Sequence, residues 1–273
     1  MEAIYIRPTP RTWGGVLRFI VTYVKLNLQA ALEYRVSFWA QVVAMAVNDA
    51  MWVTFWALFF SRFPVVRGYE FRDVVMLWSF GAVAFGTGTA LFGGAWRYAA
   101  QVAKGELDFY LVLPKPVLVH VMVSRMSVSA WGDVLFGFAC YFGLARPSLS
   151  ETAIFLALAA FSAALFIAYA VIVNAAAFWL GNAEGLADQV LNAMLTFALY
   201  PGTLFSGAVK ALLFTALPAG IIAWLPVGLI RRWDWGVAAL LLGGGTGMMA
   251  LAMWVFYRGL RRYESGNLLA MRG

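Results

Sequence analysis

Seven long apolar runs divide this chain, near 38–60, 74–95, 126–145, 152–180, 186–205, 211–230 and 235–257. Each approaches the roughly 20 residues a helix needs to cross a hydrocarbon core of about 30 Å. The sixth run is different. Pro218, Gly220, Pro226 and Gly228 punctuate it, and broken backbone at membrane depth survives only where protein or a water-filled cavity surrounds it. Ahead of the runs, Arg18, Thr22, Lys25, Gln29 and Glu33 recur every three or four residues. That spacing stacks them on one helical face, opposite Leu17, Ile20, Val24, Leu28, Ala31 and Leu32. An amphipathic helix of this kind lies in the membrane interface with its basic residues towards headgroups.

Lysine and arginine decide how many runs cross. With a re-entrant sixth run and the N-terminus inside, the inner side holds Arg7, Arg11, Arg18, Lys25, Arg35, Arg97, Lys104, Lys115, Arg125, Arg258, Arg261, Arg262 and Arg272, thirteen of the 20. Arg62, Arg67, Arg72, Arg146, Lys210, Arg231 and Arg232 stay outside. Seven full spans would leave 11 inside and 9 outside, erasing the positive-inside bias. The pattern therefore predicts an all-α membrane protein of six transmembrane helices with both ends cytoplasmic. An N-terminal interfacial helix precedes the spans, and a re-entrant segment precedes the last one. One transmembrane domain covers 1–273, with 1–35 as tail and interfacial helix and 36–273 as the bundle; residues 1–12 read as a loose tail.

Composition agrees: 63% of the 273 residues are hydrophobic and 12% charged, against roughly 45–50% and about 25% in soluble domains. Mean hydropathy is +0.79. The first apolar run lies too far from the N-terminus for a cleavable signal peptide. The net charge of +7 follows from orientation and anionic lipid rather than nucleic acid, because the basic residues flank the spans. Cys140 is the one cysteine and reads as a buried thiol. No stretch matches the phosphate-cradling G-x-x-x-x-G-K-[ST] loop. Gly202 and Gly207 have the glycine spacing, but Ala208 and Val209 follow. His120 is the one histidine, so clustered His ligands for a metal are ruled out, and it reads as an interfacial polar residue. The chain is expected to carry no cofactor and no catalysis of its own.

Polar residues inside spans point to function. Asn48 and Asp49 lie mid-run in the first, Asp133 in the third and Asn174 in the fourth, while Asp188 and Asn192 open the fifth. A carboxylate in hydrocarbon is costly, so Asp49 and Asp133 must face protein or a water-filled path. Two readings stand for Asn48, Asp49 and Asp133: a translocation route, or hydrogen bonds that hold helices together. Gly243 and Gly247 have the G-x-x-x-G spacing of a packed face, and Gly86, Gly93 and Gly94 permit close approach. Trp52/Trp56 and Trp233/Trp235 suit interfacial anchoring.

Between the second and third runs lies a compact charged island, Lys104-Gly-Glu-Leu-Asp108, running on to Pro116. Helix ends at Lys104, Gly105 supplies a left-handed cap, and Glu106 and Asp108 suit a new helical N-terminus. Leu107, Tyr110 and Leu111 form a small apolar face, and Pro114 stops the turn. The short helix either rests on lipid or seats in a soluble protein.

Several motifs in this order resemble ABC-2 type transporter permeases, six-span membrane subunits of ABC exporters. They are Leu32-Glu-Tyr-Arg35, Gly105-Glu-Leu-Asp108 with Leu111 and Pro114, Tyr200-Pro201 with the broken run after it, and Leu260-Arg-Arg-Tyr-Glu-Ser-Gly-Asn267. The resemblance implies a permease in a bacterial inner membrane, paired with a second permease, identical or different. Two copies of a separate ATPase would carry ATP and Mg. Gly105, Glu106, Leu107, Asp108, Leu111 and Pro114 would form the coupling helix that the ATPase pushes, with the N-terminal helix beside it as connecting helix. The alternative is an ion- or proton-coupled secondary transporter in which Asp49 and Asp133 form a relay. A lipid-modifying enzyme is disfavoured by the poverty of His, Cys and clustered acids.

Overall fold

The computed structural model describes residues 13–145 and 147–263, and the described residues are helical throughout apart from turns and one isolated bridge between Val66 and Tyr69. The tail 1–12, Arg146, Arg272 and the 264–267 part of the C-terminal motif lie outside the described residues.

Helix α1 (Trp13–Glu33) meets α2 (Arg35–Arg62) at a break on Tyr34. A short turn leads back into α3 (Phe71–Phe92), opened by a reciprocal cap between Glu70 and Asp73. A 3-10 turn (Gly93–Trp96) and α4 (Tyr98–Ala103) extend this limb. The short helices α5 (Asp108–Leu111) and α6 (Val117–Val123) follow, then α7 (Ala130–Cys140) with a π turn (Tyr141–Ala145). Helix α8 (Leu149–Asn174) starts on a capping box of Ser148 and Glu151 and runs on into α9 (Ala177–Leu180). Helix α10 (Glu184–Ala198) leads into α11 (Gly207–Leu212), a second π turn (Gly220–Trp224), α12 (Leu225–Arg231) and α13 (Trp235–Leu260).

Four stretches are long and apolar enough to cross a membrane: Arg35–Arg62, Phe71–Ala103, Leu149–Leu180 and Trp235–Leu260. Ala130–Leu144 and Gly220–Arg231 are shorter apolar helices. The third run, expected over 126–145, becomes helical only at Ala130. Residues 125–129 are non-helical: Ser124 Oγ donates to the Val121 carbonyl, and the Ser127 N–H is spent on the Thr89 carbonyl of α3. The fifth run, expected to reach 205, leaves the helix after Ala198 because Pro201 disfavours helix at Tyr200.

Contacts fix the two ends of the bundle. Where α2 turns into α3, Tyr200 packs on Trp56, ring centroids 5.6 Å apart, and the Tyr200 carbonyl accepts the Trp224 indole N–H at 2.9 Å. At that same end Arg231 Nη2 pairs with Asp73 Oδ1 at 3.1 Å and lies over the Tyr69 ring. The broken stretch therefore begins and finishes at one end, and α13 returns to the other, where Tyr263 lies against the 107–108 backbone.

The main core joins α3, α8, α12 and α13 around Phe80, Phe155, Phe166, Leu165 and Phe256. Asn174 is structural: its Oδ1 accepts from the Ala99 N–H and its Nδ2 donates to the Ala170 carbonyl. Asp188 and Asn192 face outward. Trp56, expected as an interfacial anchor, is buried at 6% exposure between Phe60 and Tyr200, whereas Trp233 and Trp235 are exposed. Among the described residues, no atom lies where side chains on Gly243 and Gly247 would go.

Candidate functional site

The charged island folds as its residues dictate. Gly105 has φ +75°, the Glu106 N–H reaches the Gln101 carbonyl at 2.9 Å, and the Gly105 N–H reaches Val102 at 3.2 Å. This pair of bonds is a Schellman cap, which a residue with a Cβ adopts only under strain. The chain then turns through α5 to an exposed Pro114.

The predicted apolar face points the other way. Leu107 is fully buried and Tyr110 nearly so; both sit in the core that holds Tyr98, Val102 and Leu118. Leu111 is half exposed, and the outward surface belongs to Phe109 and Val112, 63% and 78% exposed, beside exposed Lys104 and Glu106. A turn of four residues cannot hide both sides, and the longer apolar contact lies inward. Sequence reasoning missed Phe109 and Val112. The signal was present, since apolar residues immediately flanking a buried Tyr110 must point elsewhere on a helical turn.

Beneath the knob lies an aromatic brace. His120, expected as an interfacial polar residue, is only 4% exposed. Its ring meets Phe19, Tyr23 and Tyr110 edge-on, each with centroids 5.0 Å away. Its Nε2 is hydrogen-bonded to the Tyr23 hydroxyl at 2.6 Å, the imidazole tautomer setting which group donates. Burial holds the His120 pKa below its ordinary value, favouring the neutral ring. Asn27 Nδ2 donates to the Val123 carbonyl at 2.9 Å, and the Lys115 ammonium lies 5.6 Å from the Phe19 ring centre. One face of α1 is thus clamped to α6, and through His120 linked to Tyr110 of α5, while Arg18, Thr22, Lys25, Gln29 and Glu33 remain exposed as predicted. On the knob's other flank, the Tyr263 phenol lies against the Asp108 carboxyl; burial and then that charge push its pKa to about 12.

The intramembrane residues gather elsewhere. Asp49 of α2 and Asp133 of α7 adjoin within hydrogen-bonding reach, with Asn48 beside them. Glycine makes this possible. A Cβ on Gly132 would stand 2.4 Å from the Val42 carbonyl oxygen of α2, and one on Gly86 of α3 would stand 2.8 Å from Asp133 Cβ. Bare backbone therefore lets α2, α3 and α7 close around the two acids. Both acids are 5% exposed and border a cleft of about 280 Å³, walled also by Trp52, Trp78, Phe85 and Tyr200. Among the described residues no group of three or more His, Cys, Asp or Glu is placed to hold a metal.

Residues 46–266 match the model of a family described as ABC-2 family transporter protein. Comparison with curated proteins and with solved structures gives no match. The family match spans well over half of the chain and includes both the knob and the acid pair, so this protein belongs to the ABC-2 family of transporter permeases.

Proposed function

We propose that this chain is the membrane-spanning permease subunit of an ATP-driven exporter in a bacterial inner membrane. It acts as one domain over 1–273, with six spans, both termini cytoplasmic and a re-entrant segment over the broken sixth run. A second permease, identical or different, pairs with it, and two copies of a separate P-loop ATPase hold ATP and Mg. The return of the 200–231 stretch to its starting end supports the re-entrant reading.

One observation carries the proposal: an exposed turn sits on a buried root that reaches two limbs of the bundle. Gly105 and Pro114 shape it, Leu107 and Tyr110 root it, Asp108 ties it to Tyr263, and Glu106, Phe109, Leu111 and Val112 face outward. A push on this surface passes through Tyr110, His120 and Tyr23 to α1, and across Tyr34 to α2, which carries Asp49. It passes through Tyr263 to α13 as well. The test is co-purification with the ATPase and vanadate-sensitive transport, using Glu106→Lys combined with Phe109→Asp. Coupling that survives both changes sinks the reading.

The juxtaposition of Asp49 and Asp133 favours a second reading, a secondary transporter with an acid relay. Transport that persists without any ATPase and collapses with the proton gradient would establish it.

A further inference from the structure

The cleft between α2, α3, α7 and α10 is more than a packing defect. Two carboxyls stand side by side in it, and none of the residues lining it is Lys, Arg or His. Buried acids need a counter-charge or a proton, since hydrocarbon solvates neither. Asp49 Oδ2 is buried with no hydrogen-bond donor among the described residues. Independently, the Trp78 indole N–H, on a side chain 6% exposed that borders the same cleft, has no acceptor. Both atoms are unpartnered beside one space, and an occupant reaches them once a neighbouring wall side chain turns aside.

The walls narrow the occupant. Trp52 and Trp78 stack with centroids 5.7 Å apart and planes 25° apart, and Phe85 and Tyr200 add further ring surface. Aromatic faces attract cations, and the attraction grows where water is excluded. A bare metal ion would find two carboxylates, an amide and a threonine hydroxyl spread around a cleft of about 280 Å³, far more room than an ion fills. That volume suits a small organic molecule.

We propose that this cleft binds an amphipathic organic cation, its charge beside Asp49 and Asp133 and its apolar body between the Trp52–Trp78 stack and Phe85. The proposal deepens the transport reading by naming a substrate class and rests on it for its biological meaning. Binding itself needs no ATPase, so the two fail separately.

The experiment titrates the purified permease with 2-phenylethylammonium, whose N–H groups can donate to Asp49, and, in parallel, with 3-phenylpropanoate, an anion of similar size and shape, following tryptophan fluorescence. Saturable quenching by the cation alone is expected. Asp49→Asn with Asp133→Asn should weaken it by about tenfold or more. A separate variant, Thr196→Trp, fills the cleft from an exposed position on α10; it leaves both acids intact and should abolish saturation. Equal binding of both ions overturns the proposal, and so does cation binding that persists in Thr196→Trp. Cation binding unchanged in a folded acid-pair variant would overturn it too, since a shared proton would then be the acids' only counter-charge.

Discussion

The knob is tied across helices by side-chain hydrogen bonds and ring contacts, whereas the cleft gathers its polar groups around a space. At the knob, side chains reach across helices, His120 Nε2 to Tyr23 and Asn27 to Val123, with Asp108 against Tyr263, while Gln101 Oε1, His120 Nδ1 and the Tyr263 hydroxyl stay buried without a hydrogen-bond partner among the described residues. In the cleft, Asp49 Oδ2 and the Trp78 N–H are also buried without such partners, but they border the space. A joined network resists deformation and so transmits displacement. Unpartnered groups beside a space carry a cost that binding can relieve. The contrast separates a part suited to moving as a unit from a part suited to being filled.

The harshest way to break the contrast is to unseat the brace. A Cβ on Gly94 would stand 1.8 Å from the Val121 carbonyl oxygen, backbone against backbone. Gly94→Val should therefore drive α6 off the 3-10 turn and cost on the order of 3 kcal/mol or more. Thermal unfolding in detergent would reveal it as loss of the folded species. Gly132→Ala should be milder, because its Cβ would stand 2.4 Å from the Val42 carbonyl oxygen rather than 1.8 Å, though α2 and α7 must still move apart by the better part of an ångström. It should lower thermal stability by roughly 2 kcal/mol and weaken cation binding by separating Asp49 from Asp133, while ATPase association stays normal.

The brace itself predicts a pH effect. Burial holds the His120 pKa below its unfolded value near 6.5, so the neutral ring favours docking. That stability is fully present above about pH 6.5 and is lost as pH falls through the lower folded value. Hydrogen exchange along α1, corrected for intrinsic rate, should accelerate in acid, and His120→Phe should remove the dependence. Tyr23→Phe deletes one hydrogen bond and should cost about 1 kcal/mol at neutral pH.

The smallest effect belongs to Gly243→Ala. Among the described residues no atom lies near that site, so the stability of the single chain should stay the same or rise by up to about 1 kcal/mol from helix propensity. A lowered oligomer mass on light scattering with unchanged monomer stability would mark that face as the one used by a second permease.

Much of this was legible in the residues. Gly105 could only be a left-handed cap, Pro201 had to end α10, and the stripe from Arg18 to Glu33 had to face away from the bundle. The acids were legible as candidates, but not as a pair. Asp49 and Asp133 stand 84 positions apart along the chain, and what brings them together is Gly132 on one helix meeting the Val42 carbonyl on another. The one local hint was a glycine directly before a membrane carboxylate. His120 was read as interfacial because its own neighbours, Val119 and Val121, do not reveal that α1 folds back over it.

Periodicity, composition and caps are short-range properties, so the order of residues specifies the helices, their amphipathic faces, most of their ends and the short turn between α4 and α6. It also dictates that a membrane chain without a P-loop carries two carboxylates within its apolar runs. Long-range packing sets which way that turn faces, burying Leu107 and Tyr110 and exposing Phe109 and Val112. It alone joins α1 to the knob through His120 and puts Asp49 against Asp133 beside an aromatic cleft. The reason is physical: these outcomes depend on how closely distant backbones approach, and that distance is set by the small residues where helices cross.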